Sequence, residues 1–367
     1  MSSDRSGNDR SDGNDRSDGI DGIDGVDGNA FVHQPVMLQE IVDLFQPVPP
    51  GTVLDGTVGG GGHAEALLDH HAHLSVLGLD QDQQALDAAG ARLARFGDRV
   101  HLVRSRFDRL AEVWAERSAE LAGTDMVGTD LVGALFDLGV SSPQIDQPER
   151  GFSYRHDALL DMRMDRSRGV SAAELVNTAS EGELVRILRD YGEEPSARRI
   201  AKAIIEDRLA GRPLQRTGEL VALLERVIPA PARRRGGHPA KRTFQALRIA
   251  VNQELEVLAP ALDAAVETLV PGGRLAVLAY HSGEDRIVKA RLRHHENGGC
   301  QCPPQLGCRC GARRLVRPLW RSARKPGPAE LAANSRAASA RLRAAVKLPE
   351  HQGTVSGAPG TDRSRGA

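Results

Sequence analysis

Aromatic side chains make up 3% of the 367 residues, so recognition by stacking platforms has little to work with beyond Phe152, Tyr154 and Trp320. Long apolar runs are missing too: none could cross a bilayer, which argues for a soluble chain. The opening stretch Met1-Ser2-Ser3-Asp4-Arg5 has no basic segment followed by an apolar one, so no secretory signal is expected and the protein reads as cytoplasmic. Basic excess is absent as well. The 48 Lys and Arg against 49 Asp and Glu leave a formal net charge of -1, unlike the usual nucleic-acid-binding domain. Cysteine occurs only as one cluster, which in a cytoplasmic protein disfavours a disulfide framework.

What is present suffices for a sizeable core: the length allows two domains, or one domain with a large insertion. The near-zero charge hides an asymmetry, because residues 1–28 are rich in Asp and Gly while Arg198 to Arg248 and Arg286 to Arg343 are rich in Arg and Lys. Residues 1–28 repeat Ser, Asp, Gly, Asn and Arg, cannot offset their ordering entropy by burial, and are expected to be a disordered acidic tail. The run Asp21 to Gly28 resembles a calcium loop only superficially, since no Glu closes it at EF-hand spacing. A second polar tail is expected over 349–367.

Between the tails, short apolar strands alternate with amphipathic helices. Strands are expected at Thr52 to Asp55, Leu74 to Asp80, Val100 to Val103 and Leu131 to Leu138, with helices at His63 to His70, Gln84 to Phe96 and Phe107 to Leu121. Such βαβ alternation implies an α/β fold with a doubly wound, mostly parallel sheet. From Ser141 to about Thr243 helical periodicity takes over, as in Ala172 to Val176, Glu181 to Tyr191 and Ser196 to Leu209. Strand signal returns at Arg274 to Tyr280, after a helix expected over Asn252 to Leu269 and the turn Pro271-Gly272-Gly273. The middle therefore reads as an all-helical, substrate-binding insertion, residues 145–243, within a domain made of 31–144 and 244–348.

The sharpest local signal is Asp55-Gly56-Thr57-Val58-Gly59-Gly60-Gly61-Gly62-His63, between a strand and a helix. Glycines there let the backbone approach a ligand, and the free N–H groups of a helix start favour a carboxylate or other negative group. A bare tight turn would not call for four glycines, each costly in conformational entropy. Gly59, Gly61 and Ala64 also satisfy the dinucleotide fingerprint, so a nicotinamide enzyme is a competing reading. Asp80, closing the second strand, could accept ribose hydroxyls of either cofactor, or cap the helix that follows. Arg198-Arg199, Arg233-Arg234-Arg235, Lys241-Arg242 and Arg248 could neutralise phosphates, which keeps a non-catalytic RNA-binding module in view.

Several blocks resemble, in order, those of the RsmH (MraW) family: His33 to Leu38, Asp55 to His63, Asp137 to Gln144, Arg150 to Ser153, Leu160 to Asp165, Tyr191 to Glu194 and Thr243 to Ile249. With Pro271 to Leu275, His281 to Lys289 and Asn334 to Arg343, the likeness covers about residues 31–348. It departs at Gly283, where the family pattern has Leu, and in the looser block Asn334 to Ala338. The resemblance implies a class I (Rossmann-like) methyltransferase that carries a methyl group from S-adenosyl-L-methionine to the exocyclic N4 of a cytidine in the decoding region of 16S ribosomal RNA, within the small ribosomal subunit. It also implies that Gly61, Gly62 and His63 cradle the methionine end of the cofactor, Asp80 its ribose and Phe107 its adenine, with Asp137 and Gln144 near the transferred methyl. Asp137 is then the catalytic candidate; its plainer alternative is a cap for the following Ser-Ser-Pro turn. The sulfonium needs no metal for activation, and none is expected in the reaction. Cys300, Cys302, Cys308 and Cys310 form C-x-C-x5-C-x-C, which favours a zinc loop over disulfides but is not a standard zinc spacing, and Pro303-Pro304 could equally shape a surface hairpin.

Overall fold

Residues 35–121, 130–230, 238–303 and 308–350 are described by the structure, a computed structural model. The expected strands form β1 (Gly51–Asp55), β2 (Leu74–Asp80), β3 (Val100–Arg104), β4 (Leu131–Asp137) and β5 (Arg274–Ala279), all parallel. Strands β1 and β4 read as nearly unbroken apolar runs because helices cover both faces of the sheet and both sets of side chains are buried. Two further strands complete the sheet: β7 (Arg341–Lys347) runs antiparallel to β5, and β6 (Val316–Pro318) antiparallel to β7. The order is β3-β2-β1-β4-β5-β7-β6. The chain winds outward from β1 to β3 on one side and from β4 to β5 on the other, so the switch point lies between β1 and β4, where a Rossmann-like sheet opens its ligand crevice.

One apolar cluster packs β4 and β5 residues such as Phe136 and Val277 against the helix Leu258–Thr268. On the other side Met37, Ile41 and Phe45 of the first helix, Leu38–Phe45, and its entry pack on Val53, Val132 and Leu278. The stretch between β4 and β5 has its own core. Helices Ala172–Thr178, Glu181–Asp190, Ala197–Leu209, Thr217–Val227 and Ala240–Asn252 bury Leu184, Ile200, Leu220 and Phe244 together. Ser171 and Ser180 cap two of these helices by accepting the N–H of Glu174 and Glu183, which accounts for their starts.

Three expectations need correction. No single helix runs from Asn252 to Leu269: the helix Ala240–Asn252 ends at Gln253, whose φ of 55° is left-handed, and a new one begins at Leu258. The helix expected over Gln84 to Phe96 stops at Leu93 and tightens into a 3-10 segment, Ala94–Arg99. Strands β6 and β7 were not anticipated, because β7 finds its partner β5 far away in sequence and β6, which pairs only with β7, is three residues long. The acidic tail, the polar tail beyond residue 350 and Arg233-Arg234-Arg235 lie outside the described residues.

Candidate active site

The carboxyl ends of the parallel strands deliver acidic side chains to the crevice: Asp55 from β1, Asp80 from β2 and Asp137 from β4. Between them runs the glycine loop. Gly59 and Gly61 have φ of 51° and 79°, a region side chains rarely adopt, and a Cβ on Gly62 would lie 2.5 Å from Pro35 Cγ. A Cβ on Gly60 would meet no atom within 4 Å, so the loop's outer face borders open space. The loop is held by Val58 N–H to Leu79 O (2.9 Å) and Gly59 N–H to Asp80 Oδ2 (3.1 Å). It then enters the helix Gly62–His70 with Gly61 at the N-cap.

Asp80 accepts that loop N–H on one oxygen and the Asp82 N–H on the other (2.9 Å). The cap of the next helix, Gln83–Leu93, is Asp82, which accepts the Gln84 N–H (3.2 Å), so the capping alternative falls to Asp82. Burial pushes the Asp80 carboxyl up to about 6, against the lowering effect of those N–H groups. Asp55 is pushed up to about 7, by burial first and then by the charges of Asp137 and Asp80.

Asp137 receives the Tyr280 phenol on Oδ1 at 2.6 Å, and its own N–H donates to Thr57 Oγ1 at 2.6 Å. His63 is buried; its Nε2 lies 3.0 Å from Val36 O, an acceptor, and so carries the hydrogen. Its Nδ1 faces Asp137 Oδ2 at 3.6 Å, longer than a hydrogen bond. Tyr280 was missed in the sequence, where it only ended a strand. It is set by a capping box at the start of the helix Ser282–Asn297, in which Glu284 accepts the N–H of Tyr280 (2.7 Å) and of His281 (3.2 Å). Burial together with the adjacent Asp137 charge raises the Tyr280 phenol, which therefore stays a donor.

Gln144 has both ends of its amide engaged. Its Oε1 accepts the Ser141 N–H (3.1 Å) and its Nε2 donates to Asp82 Oδ2 (3.0 Å), which ties the turn after β4 to the helix after β2. Phe107, just beyond β3, meets Phe136 edge-on at 5.8 Å, and its Cβ would lie 3.4 Å from a Cβ on Gly56. Contacts thus join the loop to Asp80 through Gly59 and bring His63 to Asp137; Gln144 is linked to the next helix through Asp82, and Phe107 packs on Phe136 beside Gly56.

Sequence reasoning also overlooked the strap behind this crevice. Arg150, 2% exposed, reaches Asp82 Oδ2 (2.8 Å), Gln84 Oε1 (3.0 Å) and the carbonyls of Arg163 and Met164 (3.1 Å each). Asn252 accepts the Met164 N–H and donates to Met162 O, both at 2.8 Å. Asp165 takes Arg104 from β3 at 2.7 Å. The segment Leu160 to Asp165 is therefore the joint between helical insertion and sheet, and its signal was the density of charged and polar residues around two buried methionines.

Not every candidate phosphate ligand is available. Arg248 is bidentate to Glu254 (2.9 Å twice), whereas Arg198, Arg199, Lys241 and Arg242 are exposed. The sparse aromatics are also used internally: Tyr154 stacks on His238 at 4.5 Å, Phe152 packs on the helical core, and Arg324 covers the Trp320 ring at 4.0 Å.

Residues 30–348 match the sequence profile of the MraW methylase family. Ribosomal RNA small subunit methyltransferase H of Heliobacterium modesticaldum is 53% identical over 87% of this chain and 99% of its own. The protein of the same name from Symbiobacterium thermophilum is 52% identical over 87% and 98%. A crystal structure described as an rRNA methylase from Streptococcus thermophilus aligns over 85% of this chain and 94% of that one, with 11% identity and a TM-score of 0.36, and carries no weight beside the sequence match. A glycine loop at the switch point of the sheet, flanked by Asp80 and Asp137, in a chain matched from end to end of the relatives, leads to one conclusion: the chain belongs to the MraW methylase family.

Proposed function

We propose that this chain transfers a methyl group from S-adenosylmethionine to the exocyclic N4 of a cytidine in 16S ribosomal RNA, acting in the cytoplasm on the small ribosomal subunit. The observation that carries the reading is the Asp137 carboxylate, held by Tyr280 at the mouth of the glycine loop. The residues present fit the donor: three clustered carboxylates, Asp55, Asp80 and Asp137, repel one another around a loop that borders open space, and a cationic ligand relieves that repulsion. When bound, S-adenosylmethionine supplies a methyl group on a positively charged sulfur, an activated leaving arrangement.

The chain's own residues then do the rest. Gly61, Gly62 and His63 form the floor for the methionine end, Asp80 accepts ribose hydroxyls with its remaining lone pairs, and Phe107 offers a face for adenine. Asp137 accepts an N–H of the target amino group and draws the nitrogen lone pair out of conjugation with the ring, while Tyr280 and His63 fix the orientation of that carboxylate. Gln144 keeps the turn after Asp137 in place through Asp82. The target base must leave its stack to reach this depth, and exposed Arg198, Arg199, Lys241 and Arg242 on the insertion supply phosphate contacts for the surrounding RNA.

The test is transfer of labelled methyl from S-adenosylmethionine into 16S RNA, offered naked and as small subunits, followed by nucleoside analysis. N4-methylcytidine in either substrate is expected. Label in another nucleoside, or none in both substrates, overturns the reading.

A further inference from the structure

The four cysteines follow the C-terminal end of the helix Ser282–Asn297, whose other end adjoins Tyr280, and precede the edge strand β6; the proposed methyl transfer does not use them. Their sulfur atoms all lie within 4.8 Å of one another, with Cys300 to Cys308 at 3.4 Å and Cys308 to Cys310 at 3.5 Å. We infer that Cys300, Cys302, Cys308 and Cys310 form a structural zinc site, a tetrathiolate knuckle that holds the connection into β6.

Geometry favours zinc over the other uses of four thiols. A tetrahedral ion with Zn–S bonds of about 2.3 Å places its sulfurs about 3.8 Å apart, close to the contacts found here. A disulfide brings one pair to about 2.05 Å and leaves the other pair without a reason to converge. The cysteines here are free thiols, gathered as a group of four rather than as two pairs. All-sulfur ligation with no oxygen or imidazole donor selects a soft or borderline ion.

The surrounding backbone is built to bring the two Cys-x-Cys pairs together. Gly298 and Gly299 turn the chain out of the helix with φ of 66° and 71°, and Gly311 turns it again after Cys310 with φ of 71°. Both flanks are fastened to the helix's last turn: Gly299 N–H donates to His294 O (2.9 Å), Leu315 N–H to His295 O (2.9 Å) and Arg314 Nε to Glu296 O (2.9 Å). These bonds, with Cys300 N–H to Asn297 O (3.2 Å), anchor the connection at its two ends. A divalent ion with four thiolates carries a net charge of about −2. Exposed Arg309 stands between Cys308 and Cys310 in the chain and brings one positive charge to the same stretch. Strand β6 has three residues, too few to specify its own register, so a cross-link just upstream gives it a fixed starting point.

The full chain, purified without chelator from zinc-supplemented cells, tests this by elemental analysis and by X-ray absorption at the zinc edge. About one zinc per chain with an all-sulfur shell at about 2.3 Å is expected, with thiol modification by a mercurial releasing the ion to a colorimetric indicator. The double variant Cys300→Ser, Cys308→Ser should lose the metal while keeping its affinity for S-adenosylmethionine by calorimetry, because the crevice lies at the β1–β4 switch point. If that variant does not fold, the spectrum of the unmodified chain still decides. Metal-free protein with four freely titrating thiols, a mass loss that reports disulfides, an ion bound mainly through nitrogen or oxygen, or iron in place of zinc would each overturn the proposal.

Discussion

Asp137, Asp80 and Asp55 each end a parallel strand, and their neighbours separate their tasks. Asp137 faces Tyr280 and His63, and replacing it by Asn keeps the shape and one acceptor while removing the charge. Single-turnover methylation with saturating cofactor should then slow by roughly 100-fold or more, the scale of one positioned catalytic group, with RNA affinity little changed. A near-native rate in a destabilised variant would reduce Asp137 to a structural residue. Asp80 is expected to hold the ribose only as the carboxylate. Since burial pushes it up to about 6, calorimetric affinity for S-adenosylmethionine should rise with pH through that value and level off above it. The Asp80→Asn variant should bind weakly and without that rise; an unchanged profile would remove Asp80 from the site.

Asp55 gives a stability test with a definite sign. Its folded-state value of about 7 lies above its ordinary 3.8, so the folded chain holds a proton that the unfolded chain has released. The resulting contribution is full below about pH 4 and is lost as pH rises through 7. In the Asp55→Asn variant the Thr57 N–H keeps an acceptor and no buried charge forms. Its stability relative to the unmodified protein, from urea unfolding, should therefore improve between about pH 5 and pH 8. A difference that stays flat or moves the other way contradicts the assignment.

Among elements, the most consequential is the strap from Arg150 to Asp165. Removing the Arg150 guanidinium takes away the opposite charge of buried Asp82, which keeps only the neutral donors of Gln84 and Gln144, and one donor from each of two carbonyls, and Arg150→Ala should cost about 3 to 5 kcal/mol. A loss of under about 1 kcal/mol in urea midpoint measurements, the range of a surface pair, would show that water replaces it. Elements with local causes were legible in the chain: buried apolar runs for β1 and β4, capping serines for the insertion helices, glycines for the loop. The helix break at Gln253 was not, because a left-handed Gln has no local signature and is set by the Arg248–Glu254 pair and the Asn252 contacts around it. Strands β6 and β7 were hidden for a similar reason. The alternating sequence of β7 acquires meaning only when β5 offers it an edge more than 60 residues upstream in the chain, as in Arg274 against Val346.

At the scale of the molecule, a formal charge of -1 coexists with a proposed RNA substrate because the acidic and basic stretches are segregated. Replacing Arg198, Arg199, Lys241 and Arg242 by Gln should weaken RNA binding and reduce its log-log salt slope by about 0.7 to 0.9 for each phosphate no longer neutralised, while cofactor affinity stays constant. An unchanged slope would mark these side chains as a solvated face. Arg248 is excluded from that set, since its charge is already matched by Glu254.

The sequence alone determined the sheet's parallel half, the place of the glycine loop between strand and helix, the helical character of the insertion, and the family, because each rests on residues adjacent in the chain or at a short period. Only the tertiary structure decided that Tyr280 stands against Asp137 across 143 positions, that Asp82 rather than Asp80 caps the following helix, that Arg248 is spent on Glu254, and that four cysteines converge. Those facts depend on which strand ends become neighbours and on where buried charges find partners. Both are settled by packing the two faces of one sheet, and neither is written in any local stretch of residues.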